Sequence, residues 1–134
     1  MGTMTAATVI ARYFAATRTM DVEAWLSCFA EDAVSYDPAE GPPLRGKAAL
    51  RQFFLGVGGL FRHIGFTEGR VYVNGARAAV TFSGSGEGKN GRRVTFDGID
   101  VFEFNEQGFI HTMWGYWQPG PVLAAAQEPP ATKG

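Results

Sequence analysis

The stretch Val94-Thr95-Phe96-Asp97-Gly98-Ile99-Asp100-Val101-Phe102-Glu103-Phe104 decides how the rest of this chain is read. β-Branched and aromatic residues dominate it, which predicts a strand. Side chains alternate faces along a strand, so Val94, Phe96, Gly98, Asp100, Phe102 and Phe104 share one side. Asp100 is the only polar member of that set. The opposite register would turn Thr95, Asp97, Glu103 and Asn105 inward, a polar set, so the pattern favours Asp100 on the core side. A carboxylate in an apolar setting is costly, so Asp100 is expected to be paired or to keep its proton. A neutral carboxylic acid can donate a hydrogen bond, which an ordinary surface aspartate cannot do at neutral pH.

The strand sits in a chain whose other segments sort cleanly. Ala6, Val9, Ile10, Tyr13 and Phe14 recur at helical spacing between about Thr5 and Thr17, with Thr5 or Thr3 as the cap. Asp21 is placed to cap a second helix through Val22, Trp25, Leu26 and Phe29. Ala33 to Asp37 is a short strand stopped by Pro38, and the Pro- and Gly-rich run to Pro43 is a loop. Lys47 to Leu60 is helical through Leu50, Phe53, Phe54 and Val57. Ile64 to Asn74 and Ala76 to Ser83 are strands joined at Asn74-Gly75, a hairpin signal. A glycine-rich connection is expected from Gly84 to Gly91, the Asp100 strand from Arg92 to Asn105, and a last strand from Phe109 to Trp117. Helices first and strands afterwards predict an α+β fold, a curved antiparallel sheet with about three N-terminal helices packed on its concave face. The expected organisation is one domain over residues 1–118 and a flexible C-terminal tail over 119–134, where Pro, Ala, Gln and Lys take over. Met1-Gly2-Thr3, ahead of a second methionine, reads as a cloning remnant.

Composition narrows the function classes. The chain has 134 residues, 46% hydrophobic and 19% charged, with a net charge of −1, so it carries no basic footprint for nucleic acid or a membrane surface. No apolar run approaches a membrane span, and no basic-then-apolar leader opens the chain, which predicts a cytoplasmic protein. The single cysteine, Cys28, excludes an intrachain disulfide and reads as a small core residue. His63 and His111 have no carboxylate or cysteine at ligand spacing and read as structural, so no metal or cofactor is expected. Gly84 to Gly91 lacks the Gly-Lys-Ser/Thr ending of a phosphate loop. Eleven phenylalanines point instead to an aromatic-lined interior.

Two residues join Asp100 as candidates. Tyr13 lies on the apolar face of the first helix, where its hydroxyl would be a second donor beside a neutral acid. Asp37, in an Asp-Pro pair at a strand end, reads as a partly solvated carboxylate, ionised near neutral pH and able to move a proton.

These residues bring out a resemblance. Ala11-Arg12-Tyr13, Phe29-Ala30-Glu31-Asp32-Ala33, Asp37-Pro38 with Pro42-Pro43-Leu44-Arg45-Gly46, Gly98-Ile99-Asp100-Val101-Phe102-Glu103-Phe104-Asn105 and Tyr116-Trp117 resemble, in order, the ketosteroid isomerases of the nuclear transport factor 2-like superfamily. The resemblance covers about residues 5 to 118. It implies a cone-shaped fold, no cofactor, and a homodimer formed through the outer face of the sheet. Asp37 would be the general base that moves a proton in a steroid enone. Tyr13 and protonated Asp100 would hold the dienolate oxygen, a neutral buried acid being the device for which that family is known. The substrate pocket would be lined by Phe54, Phe96, Phe102, Trp114 and Trp117. Where some members carry further tyrosines this chain has Phe29 and Phe54, so no extended tyrosine network is implied. The same acid-and-donor pocket would serve a polyketide cyclase, a pyran-forming cyclase or an epoxide-opening enzyme. A non-catalytic ligand-binding module is the third reading. In each case the partner is a small apolar molecule, steroid-like or polyketide-like.

Overall fold

A computed structural model describes residues 4–129. The readings of a leading remnant, of a Thr3 cap and of the last tail residues fall outside that range. The first helix, α1 (Ala6–Arg18), starts on Thr5, whose hydroxyl accepts from the Thr8 amide. The short α2 (Val22–Leu26) starts on Asp21, whose carboxylate accepts from the Ala24 amide. Both are ordinary side-chain caps of otherwise orphaned amides. Phe29, expected at the end of α2, instead opens β1 (Phe29–Tyr36), which is followed by the two-residue β2 (Leu44–Arg45). Next come α3 (Gly46–Gly58), β3 (Phe61–Asn74), β4 (Arg77–Gly88), β5 (Arg93–Phe104) and β6 (Ile110–Tyr116).

The six strands form one curved sheet in the order β2-β1-β6-β5-β4-β3. All neighbours are antiparallel except β1 and β6, which run parallel. The class and architecture are those expected, with the helices packed on the concave face. On β5 the buried residues include Val94, Asp100, Phe102 and Phe104, while Asp97 and Ile99 are exposed. Asp100 therefore points into the core, 4% exposed.

β4 runs through Gly84, Gly86 and Gly88, where a glycine-rich connection was expected. The glycines make room there. A methyl group on Gly84 would collide with the ring of Phe96 across the β4–β5 ladder. Space for a large neighbour, rather than chain flexibility, accounts for glycine at that position.

Residues 119–127 correct the expectation of a loose tail. They form α4 (Pro119–Gln127), with a proline in its first turn. Val122 and Ala126 are buried in a second apolar cluster with Phe61, Ile64 and Val94. The alanines and proline that suggested disorder are small enough to lie close on the sheet. Asn90 ties the far end down, its amide donating to the carbonyls of Ala125 and Glu128 at 2.8 Å. No helix among the described residues is long and apolar enough to cross a membrane.

Candidate active site

Three elements deliver one polar group each to the same cavity. Tyr13 comes from the middle of α1, Asp37 from the residue after β1, and Asp100 from the middle of β5. The non-atom space at this cavity is about 600 Å³ with the open solvent at its mouth included. Its remaining walls are largely apolar, with Trp25, Phe53, Phe54, Phe66 and Trp117 the aromatic contributors.

Asp37 is held by β6. Tyr36 ends β1 on the outer face, its ring stacked on Trp114 at 6.1 Å, so alternation turns Asp37 inward. The amide of Ala39 donates to the carbonyl of Gly115 at 2.7 Å, fixing the turn over that strand. The Trp117 indole N–H then donates to Asp37 Oδ1 at 2.6 Å. Gly115 lies between the two carboxyls. A Cβ added there would sit 2.7 Å from Asp37 Oδ1 and 3.4 Å from Asp100 Oδ1. The two carboxylate oxygens are thus no farther apart than those two distances laid end to end.

The two carboxyls differ in exposure as expected, Asp37 half-buried and Asp100 buried. Even so, desolvation pushes the Asp37 pKa from 3.8 up to about 6, against the pull of the Trp117 hydrogen bond. Burial, and then the charge of Asp37, push Asp100 well above the usual carboxylate range. The distinction between them is therefore one of degree. At pH 7 a group of pKa about 6 is mostly ionised, whereas burial and the neighbouring charge of Asp37 both push Asp100 toward its protonated form. Tyr13, 5% exposed, is raised well above the ordinary tyrosine value by burial, then by Asp100 and Asp37, with the Trp25 side chain acting in the opposite direction. Its hydroxyl lies 3.6 Å from Met113 Sδ, and its ring packs edge-on against Phe102 at 5.2 Å. Such an arrangement brings two carboxyl groups and one phenol to a single apolar cavity.

The expected lining residues separate into three groups. Phe54 and Trp117 line the cavity. Phe102 is fully buried behind Tyr13 and Phe96 packs against Phe66 and Trp117, so both support the wall without forming it. Trp114 belongs to the outer face with Tyr36, because it lies next to Gly115 on a strand and the two point opposite ways. Phe29 packs against Tyr13 and Trp25 in the core, where no further hydroxyl is presented to Tyr13. Gly115 and the donor role of Trp117 were not anticipated. The helix spacing from Tyr13 to Thr17 could have revealed a second wall residue, but nothing local marks a glycine that keeps two distant carboxyls in reach.

Comparison with known proteins agrees with this architecture. Residues 10–113 match the model of the SnoaL-like domain family. A steroid delta-isomerase of Nocardioides simplex is 27% identical over 114 residues, 85% of this chain and 90% of that protein. Among solved structures, SalBIII, an epoxide hydrolase/cyclase-like enzyme of pyran ring formation in the polyether salinomycin, superposes with a TM-score of 0.77 at 25% identity, covering 84% of this chain and 90% of that one. An NTF2-like protein from Burkholderia pseudomallei superposes with a TM-score of 0.80 at 16% identity, covering 93% of this chain and 100% of that one, a likeness of fold alone.

Proposed function

The chain belongs to the SnoaL-like domain family, and from that premise we propose that it is an isomerase moving a double bond in a 3-ketosteroid or similar enone. One observation carries the reading: Tyr13, Asp37 and Asp100 line a single apolar cavity, with the two carboxyls raised to different degrees. Ionised Asp37 takes the proton from the carbon between ketone and alkene. The electron pair moves onto the ketone oxygen, giving a dienolate. Tyr13 and protonated Asp100 donate hydrogen bonds to that oxygen as its charge develops, where preorganised donors in a dry site are most effective. Asp37 then returns the proton to the far carbon of the dienolate, leaving the conjugated enone. The Trp117 indole steadies the carboxylate through Oδ1 and leaves its other oxygen for the proton.

Conversion of a 5-ene-3-ketosteroid to its conjugated isomer, followed by ultraviolet absorbance, tests this directly. The expected result is turnover with the native chain and little with Asp37→Asn. No absorbance change above that control would remove the isomerase.

A second reading has its own support in the 25% identity with an epoxide hydrolase/cyclase-like enzyme. The same pair would then act on one substrate together, Asp37 taking a hydroxyl proton while Asp100 protonates the epoxide oxygen being opened. Ring closure of a hydroxy-epoxide with no enone isomerisation would favour that alternative. A homodimer through the outer face of the sheet is part of the proposal. Tyr72, Ile99 and Tyr116 are exposed on strands of that sheet, and Tyr72 pairs across to Ala79, Val101 and Trp114 in one outward row.

A further inference from the structure

The turn that ends α1 suits a glycine and holds a methionine. The Asp21 amide donates to the Ala16 carbonyl at 3.0 Å and the Met20 amide to the Thr17 carbonyl at 3.1 Å. Those paired bonds make the helix ending that places its next residue in the left-handed region, usually as glycine. Met20 has φ of 53° and is the one non-glycine residue with positive φ among the described residues. A side chain is disfavoured there because Cβ crowds the following carbonyl. Residues persist in such conformations where the surroundings make use of them. Here the side chain lines the cavity. Its terminal methyl lies at Gly58, the last residue of α3, where an added Cβ would stand 3.2 Å from it. The ends of α1 and α3 therefore interlock, with a side chain where the backbone prefers none and no side chain where the thioether needs room.

Tyr13, Thr17 and Met20 are spaced four and three residues apart, and all line the cavity, so the cavity runs along α1. At 1.5 Å per residue, Thr17 stands about 6 Å along α1 from Tyr13, and Met20 lies past the end of the helix. The Tyr13 end holds the two carboxyls. Val57 and Ile64 line the cavity as Met20 does and are packed into the second apolar cluster with it. Thr17, between the ends, is already engaged, donating to the Phe14 carbonyl at 2.7 Å and accepting from the Phe66 amide at 3.1 Å. No free polar group among these residues meets the far end of a ligand.

We infer that Met20 is a specificity-determining residue: its thioether limits how long a ligand can be when the ligand's oxygen sits by Tyr13 and Asp100, and it requires the far end to be hydrocarbon. The inference deepens the isomerase reading and rests on it for the ligand's orientation.

Calorimetric titration with 4-alkylphenols of increasing chain length, alongside the matched alkylbenzenes, tests it. Each methylene that finds apolar room raises affinity about fourfold (about 0.8 kcal/mol). In the native chain that gain should stop at a definite length. In Met20→Gly it should continue for about two or three further methylenes, by the same fourfold step. Met20→Ala, which keeps the disfavoured backbone, should extend the range as well. An unchanged cut-off in both variants overturns the inference, as does failure of both series to bind. Phenols binding no better than alkylbenzenes would sink the oxyanion-hole reading while leaving the cut-off measurable, so the two failures are distinct.

Discussion

In the proposed isomerase the carboxyl that takes a proton and the carboxyl that keeps one stand on either side of Gly115, and each makes its own prediction. Replacing Asp37 by Asn should lower kcat/KM for the enone by about 10²–10⁴-fold, the usual contribution of a general base. Tyr13→Phe or Asp100→Ala should each lower it by on the order of 10²–10³, the usual loss for one oxyanion donor. Because Asp37 works ionised and is raised to about 6, kcat/KM should rise with pH through about 6 and then level off. The Trp117 hydrogen bond favours the ionised form, so Trp117→Phe should shift that limb to higher pH and return activity at the plateau. A limb left in place would show that the indole does not tune the base. The same shift bears on folding. The native state holds the Asp37 proton more tightly than the unfolded chain, so Asp37 favours folding fully below about 3.8 and that contribution is lost as pH rises through about 6. Asp37→Asn should flatten the pH dependence of the urea midpoint across that window. Gly115→Ala should leave the fold in place and remove most activity, since its methyl would stand 2.7 Å from Asp37 Oδ1.

At the scale of elements, α4 and β4 show why part of the fold stayed hidden in the sequence. The strand of Asp100 was legible because period-two alternation is a local pattern, and the caps Thr5 and Asp21 because their partners lie three residues away. Gly84 and Gly86 looked like a flexible connection because their reason for being glycine is a ring on another strand and the backbone of a third. Likewise Pro119 to Gln127 offers small residues with no strong amphipathic pattern, and its partners Phe61, Ile64 and Val94 lie far back in the chain. Val122→Ala tests whether the helix is structural. Losing two buried methyl-sized groups at about 0.8 kcal/mol each should lower stability by about 1.5 kcal/mol, read as a shift in the urea midpoint. Trp117 packs against that second cluster and also meets Asp37, so the variant should also weaken activity slightly. The candidate trio was legible for a related reason, each member being odd in its own local setting. Trp114 was misplaced because an aromatic residue one position from Gly115 looks the same from sequence on either face.

For the whole molecule, the cone divides labour between two sides of one sheet. The concave side buries Tyr13, Phe102 and Met113 around the cavity, while the outer side leaves Tyr72, Ile99 and Tyr116 in the open. An apolar outer row of this kind is expected to be covered by a second copy. Tyr72→Glu with Ile99→Glu should convert a dimer to a monomer in sedimentation at micromolar concentration, and an unchanged sedimentation coefficient would refute the outer-face interface. Trp117, finally, turns the protein into its own pH meter. Its indole touches a carboxyl that changes charge near pH 6, so part of its emission should titrate with that carboxyl. Subtracting the Asp37→Asn signal would cancel Trp25 and Trp114 and leave the ionisation of the base visible without substrate.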